Sequence, residues 1–251
     1  MKKTIALALV LTFTFPFVAC QMENVVLDEA KTYEITSDIH SLDIRINAAD
    51  FKIKHAEEFS VEGNLKYLSV SEKDGVLTIV DEADVHSNYV DTTLTLCIPN
   101  GTTFENVDIT TGAAKLTVDM LSVNSLELNL GAGDVRFEYL NASSNVDIKG
   151  GAGEITIASG TLSGLTLEMG VGELNLTAIL LGNSDLKFGV GESNLTLLGS
   201  KDDYKVDIEK GLGNITVDGE KVTDFGSSGN GQNHVEIEGG IGTINLNFQE
   251  N

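Results

Sequence analysis

The sequence predicts an all-β protein: one β-solenoid domain, a parallel β-helix-like roll with Gly-x-Gly rungs of about 19 to 20 residues, with a β-sandwich as the alternative. Three observations carry this. A Gly-x-Gly phrase returns at nearly constant spacing, apolar residues alternate with period two on both sides of it, and glycine is abundant where proline is nearly absent, 26 against 2 in 251 residues. The apolar share of 41% is that of a globular chain, not of a disordered or polytopic one.

The phrase reads GAAKLTV from Gly112, GAGDVRF from Gly131, GAGEITI from Gly151, GVGELNL from Gly170, GVGESNL from Gly189, GLGNITV from Gly211 and GIGTINL from Gly240. A degenerate copy, NAADFKI, starts at Asn47. From Gly112 the steps are 19, 20, 19, 19, 22 and 29 residues. One such unit cannot bury its own apolar face, whereas stacked copies share a continuous interior. Five and three residues before the first Gly stand pairs such as Leu126/Leu128, Val146/Ile148 and Leu165/Leu167. Four and six after it stand Val135/Phe137, Ile155/Ile157 and Leu174/Leu176, with Ser184 and Ser193 softening the copy at Gly189. Between the second pair the residue is polar in every copy: Lys52, Thr117, Arg136, Thr156, Asn175, Asn194, Thr216, Asn245. One face is core and the other is wet. Each period therefore reads as strand, tight Gly corner, strand and a short return often holding a Leu, such as Leu121, Leu140, Leu162 or Leu198. The glycines suit a corner where φ is positive and neighbouring corners approach closely. A sandwich would explain the strands but not one phrase at constant spacing.

In chain order, residues 1–19 read as a secretory signal: Lys2 and Lys3, an uncharged and mostly apolar Thr4 to Phe17, then Val18 and Ala19 before Cys20. The Phe-Val-Ala-Cys ending resembles a bacterial lipobox, departing from it at Phe17, so Cys20 is the expected lipid attachment site; a plain secreted protein is the alternative. Residues 20–32 are then a lipidated N-terminus and linker, and 33–251 the solenoid domain. Within it, 55–98 interrupt the array: LKYLSVSEKDGVLTIV predicts a hairpin around Asp74-Gly75, and YVDTTLTLCIP a further strand stopped by Pro99, together capping the first rungs. Residues 218–233 are a polar Gly/Ser/Asn-rich insertion expected to loop out at a corner. With Cys20 acylated, Cys97 stands alone inside TLCIP, with no His close in sequence, and reads as an apolar filler rather than a nucleophile.

The formal charge is -22, and loss of residues 1–19 leaves 14 basic against 38 acidic side chains, a charge of -24. Such a surface repels phosphate backbones, and with only Arg45 and Arg136 there is little to clamp a phosphate bidentately. Nucleic acid is excluded as a partner.

EKDGVLTI, then LTLCIPNGTTFENVDITTGAAKLTV with its (I/V)P-x-G stretch at Ile98 to Gly101, then iterated Gly-x-Gly strands, together resemble the toast-rack domain, a bacterial family of unknown function also labelled candidate adhesin. The similarity covers roughly residues 33 to 248. It implies an extracytoplasmic β-solenoid with a surface or envelope-stress role and supplies no catalytic residues.

The residue after each second Gly gives a column, Asp134, Glu154, Glu173 and Glu192, if rungs stack at about 4.8 Å. Hard cations seek such oxygen clusters. Yet like charges at that spacing repel by only about 1 kcal/mol in water, so three neighbouring pairs cost at most roughly 3 kcal/mol and no metal is required. GGAGE at Gly150 departs from a calcium-roll repeat, its acid being one place early and its period not nine. Polysaccharide-active β-helix enzymes need paired carboxylates in a groove, often with aromatic platforms. This chain has no Trp, short returns, and His40, His55, His86 and His234 scattered, none beside a Ser or Cys in a nucleophile motif. The expectation is a non-catalytic surface lipoprotein without cofactor or metal, lipid-anchored on the outside of the cell or outer membrane. It acts as an adhesin-like binding or structural module for a protein or glycan at the cell surface. A regulatory lipoprotein of an envelope-stress response is the alternative, and a polysaccharide-active enzyme a remote one.

Overall fold

A computed structural model describes residues 27–83, 89–209, 211–222 and 226–250. Cys20, the signal segment and His86 lie outside these. The described chain is strand throughout, save turns and one short 3-10 turn at Lys201–Asp203. In order the strands are β1 (Lys31–Glu34), β2 (Ser41–Ile46), β3 (Asp50–Ala56), β4 (Ser60–Gly63), β5 (Leu68–Lys73), β6 (Val76–Asp81), β7 (Thr93–Pro99), β8 (Phe104–Ala113) and β9 (Lys115–Ile157). They continue as β10 (Gly160–Ser163), β11 (Leu165–Leu181), β12 (Asn183–Leu198), β13 (Tyr204–Glu209), β14 (Leu212–Val217), β15 (Glu220–Val222), β16 (Ser227–Ser228), β17 (Asn233–Glu238) and β18 (Ile241–Gln249).

The rungs stack in parallel and in register, as a solenoid requires. Leu167 lies between Ile148 and Leu186, and Leu176 between Ile157 and Leu195, so equivalent positions of successive repeats form columns. The inward columns are the core: Leu128, Ile148, Leu167, Leu186 and Ile237 on one wall, Phe137, Ile157, Leu176, Leu195 and Leu246 on a second, all essentially inaccessible. The returns are more than connections. Leu162 pairs in register with Leu180, and Thr161 with Asn141, so they form a third hydrogen-bonded wall, with Leu140, Leu162 and Leu180 facing inward. Each fully buried apolar side chain contributes about 1.5 to 3 kcal/mol.

Two glycines per corner are needed for two reasons. A Cβ on the first, as at Gly170, would point into the carbonyl oxygen of Gly151 one rung away. At the second, as at Gly172, φ is +143° and a Cβ would overlap the carbonyl oxygen of Gly153. In the rungs that carry both glycines the backbone runs of adjacent corners are too close for a side chain at either place; nearer the first end of the stack Ala114 and Ala49 fill the second slot, and Asn47 the first.

The rungs do not follow sequence order at the ends. The rung at Gly240 sits between those at Gly189 and Gly211: Gly242 pairs with Gly191 on one side and Gly213 on the other. The chain makes its outermost rung first and then returns to fill the place left beneath it. The other end is its reverse: β2 and β3 are laid down first, β6 and β7 are added outside them, and β8 and β9 then continue the stack on their inner side. Strands β5 to β7 thus lie at this end of the stack, with a hairpin at Asp74 (φ 49°) and Gly75 (φ 74°) between β5 and β6. The described parts of residues 218–233 correct the expectation of a protruding loop. Strand β15 folds back antiparallel on β14, and β16 on β13, covering the last rung; β4 and β5 do so at the first. An uncovered terminal rung would present a row of unpaired backbone groups to other chains, which antiparallel lids remove.

Candidate functional site

The second wall carries the predicted acidic column on its outer side. Glu154, Glu173 and Glu192 lie in strict register, and the column continues as Thr243 and Asn214. Asp134 joins by the same 20-residue offset that sets Gly153 against Gly133. Beside it the polar residues of the repeat form a ladder. Thr216 Oγ1 donates to Asn245 Oδ1 at 2.8 Å, Asn245 Nδ2 to Asn194 Oδ1 at 2.8 Å, and Asn194 Nδ2 to Asn175 Oδ1 at 3.0 Å. The amides also reach the acids: Asn175 Nδ2 donates to Glu173 at 2.9 Å and Glu154 at 3.2 Å, and Asn245 Nδ2 to Glu192 at 3.1 Å. These donors offset the crowding of like charges that the stacking imposes.

The first wall carries a longer acidic column, which the sequence reading did not single out. Asp43, Asp108 and Glu127 stand in register, followed after Asp147 by Thr166, Asp185, Glu236 and Asp207. Cations two residues along answer some of these: Arg45 to Asp43 at 2.7 Å, Lys149 to Asp147 at 3.0 Å, Lys187 to Asp185 at 3.3 Å. Asp108 has no such partner on its own strand. Partial burial, with Glu127 and Asp43 nearby, pushes its carboxyl above the usual range, while Arg45 counters weakly.

Between the two walls runs the corner itself, and the residue between its two glycines points outward. Ala113 pairs with Ala132, Val171 lies between Ala152 and Val190, Val190 pairs with Ile241, and Ile241 with Leu212. The result is one continuous ridge whose members grow from alanine to leucine along the stack. Its last four are open to solvent: Val171 55%, Val190 47%, Ile241 55% and Leu212 75% exposed. An open recess of about 480 Å³ lies along its base near Met169 and Phe188, edged by Lys149, Glu168 and Lys187. The sequence shows an apolar residue in the middle of every Gly-x-Gly but not its direction, since counting from the strand before the corner puts it inward and counting from the strand after it puts it outward.

The remaining reactive side chains do not assemble into a catalytic group. Asp207 is a hub: Ser227, Lys205 and His234 all hydrogen-bond to its carboxylate, holding it well below the usual carboxylate range. Ser227 thus bonds to the acid. The described Ser–His contact joins chain neighbours, His40 Nδ1 and Ser41 Oγ at 3.2 Å, and Glu105 approaches that same Nδ1, so the carboxylate does not orient the ring through its other nitrogen as in a nucleophile–base–acid relay. His40 faces Glu105 at 3.4 Å, whereas both ring nitrogens of His55 are buried without a hydrogen-bond partner. Cys97 is a half-buried free thiol on β7, opposite Lys54 and Ser60. Among the described residues no group of three or more His, Cys, Asp or Glu is arranged to hold a metal ion. No described helix is long and apolar enough to cross a membrane.

Comparison with known proteins gives a family and several distant structures. The family model Toastrack DUF4097 matches residues 33–247. A crystal structure of a candidate adhesin from Bacteroides fragilis is 13% identical, covers 86% of this chain and 95% of its own, and has a TM-score of 0.49. A candidate adhesin from Parabacteroides distasonis is 14% identical over 87% of this chain and 97% of its own, at a TM-score of 0.48. A candidate lipid-binding protein from the same species is 14% identical over 86% and 96%, at 0.38. No curated protein matches the chain.

Proposed function

The chain belongs to the Toastrack DUF4097 family, and from that premise we propose that it is a non-catalytic binding module, adhesin-like, held outside the bacterial cell by lipid on Cys20. The observation that carries this reading is the pairing of an ordered, hydrogen-bonded amide ladder with an exposed apolar ridge on one rigid stack. Rigid, regularly spaced contact groups bind with little loss of side-chain freedom. The partner is another macromolecule of the cell surface, and the charge of -24 left after removal of residues 1–19 keeps the rod solvated and away from anionic headgroups. Two measurements test the reading. Palmitate should label the wild type and not Cys20→Ser; equal labelling removes the anchor. Pull-down from native membranes and surface extracts should retain a specific macromolecule; capture of none removes the binding role.

A further inference from the structure

The ridge identifies its own kind of partner. Val171, Val190, Ile241 and Leu212 together expose on the order of 400 Å² in one continuous row, the size of the largest apolar patch on a soluble monomer, which is often a functional one. The flanks of this large end are acidic. Glu168, Glu238 and Glu209 run along the first wall and Glu173 and Glu192 along the second, and the described cations in register with them are engaged, Lys149 by Asp147 at 3.0 Å and Lys187 by Asp185 at 3.3 Å and Glu238 at 3.8 Å.

We propose that this ridge docks a cationic amphipathic α-helix of another polypeptide, its apolar stripe along Val171–Val190–Ile241–Leu212 and its Lys or Arg side chains on the flanking glutamates. This rests on the binding-module reading and names the partner's chemistry. Charge complementarity sets the sign of the partner. Spacing sets its conformation. Ridge residues repeat every 4.8 Å or so, one per rung, and a helix presents one apolar contact per turn of about 5.4 Å, so the mismatch over three steps is roughly 2 Å. An extended strand repeats its same-face side chains every 6.7 Å or so and drifts by roughly 6 Å over the same distance. The recess beside Met169 and Phe188 receives the second row of a helical stripe, whose apolar residues come at i, i+3, i+4 and i+7. A second copy of this chain would bring Glu173 and Glu192 against like charges, and an anionic bilayer would do the same.

The test uses the purified full chain and a fluorescein-labelled helical peptide of Leu and Lys, roughly 14 residues long with leucine at amphipathic spacing. Fluorescence anisotropy should show saturable binding, weakened at least 10-fold or so by scrambling the leucines or by replacing Lys with Glu. The variant Val190→Ser/Ile241→Ser/Leu212→Ser, changed only at exposed positions, should keep its melting temperature and lose binding by a similar factor. Glu168→Gln/Glu173→Gln/Glu238→Gln should bind several-fold more weakly at low salt and respond less to added salt. Equal binding of helical and scrambled peptides, or undiminished binding by the ridge variant, overturns the proposal. So does ridge-dependent self-association on sedimentation, or ridge-dependent binding to phosphatidylglycerol vesicles, since each assigns the surface to another occupant. Membrane pull-down with the ridge variant separates the two readings: a partner it still captures overturns the helix site alone, whereas no capture by the wild type overturns the binding module.

Discussion

The corner is built twice with one backbone and two surfaces. In the rungs at Gly112, Gly131 and Gly151 the middle residue is alanine, while in those at Gly170, Gly189, Gly240 and Gly211 it is Val, Val, Ile and Leu. The first glycine is constrained alike in both sets, since a Cβ at Gly131 or Gly189 would meet the preceding rung's carbonyl oxygen, and of these rungs the one at Gly112 alone has alanine, Ala114, in the second place. The fold therefore dictates the glycines and leaves the middle residue free. The free position is filled with exposed aliphatics in one half alone, and the proposed helix site rests on that contrast.

Breaking the shared part should give the largest effect. Gly172→Val puts a side chain at φ +143° into the Gly153 carbonyl and should cost about 3 kcal/mol or more, enough to abolish the cooperative melt or lower it by roughly 10 °C. Gly182→Ala is the control for glycine loss without contact. Its φ is +75° with nothing near, so it should cost only about 1 kcal/mol. Equal melting temperatures for the two would show that corner packing does not hold the rungs together.

The core should not distinguish the halves. Leu128→Ala and Leu167→Ala remove equivalent, fully buried side chains from the first wall, and each should cost about 2 to 5 kcal/mol by denaturant titration. A large difference between them would mean that one half of the stack opens separately.

Two members of the first-wall acid column, Asp108 and Asp207, should answer pH in opposite senses. Asp108 has a raised carboxyl pKa from burial and then from Glu127 and Asp43, so its stabilising contribution is full below the ordinary Asp value near 3.8 and is lost as pH rises through the raised one. Asp207, held low by Ser227, Lys205 and His234, contributes above that ordinary value and loses its contribution as pH falls toward the depressed one. Asp108→Asn should therefore raise the melting temperature at pH 7 by a degree or so, with the gain gone in acid. Asp207→Asn should lower it at pH 7 and matter less in acid. Melts of both variants from pH 3 to 7 check the signs.

Much of this was legible in the sequence, and what was not has physical reasons. The period, the inward columns and the Asp74-Gly75 hairpin follow from side-chain alternation and turn chemistry, which are local. Rung order is not local. The copies at Gly211 and Gly240 carry the same phrase, so pattern alone cannot say which of them meets Gly191. The lids β15 and β16 were hidden for the same reason: their sequence is that of a loop, and the need for them arises only from the exposed edge of β13 and β14. At the site, the Glu154–Glu173–Glu192 column was read correctly because charge at a fixed offset is conspicuous. The ridge was missed because an apolar residue between two glycines reads as corner filler until its exposure is known.

The smallest expected effect bears most directly on what the two corners teach. Ala152→Val and Val171→Ala exchange the residues at the boundary between the small and large ends of the ridge, both on exposed positions of neighbouring rungs in register. If the fold leaves the middle residue free, each single change should move stability by no more than about 0.5 kcal/mol, with valine slightly favoured on a strand. Ala152→Val should then lengthen the aliphatic ridge by one rung and strengthen binding of the cationic helical peptide, and Val171→Ala should shorten it and weaken binding by about the same factor. A cost above roughly 1 kcal/mol for Ala152→Val would mean that alanine is required by packing in that half. The contrast between the two halves would then belong to the fold and say nothing about a partner.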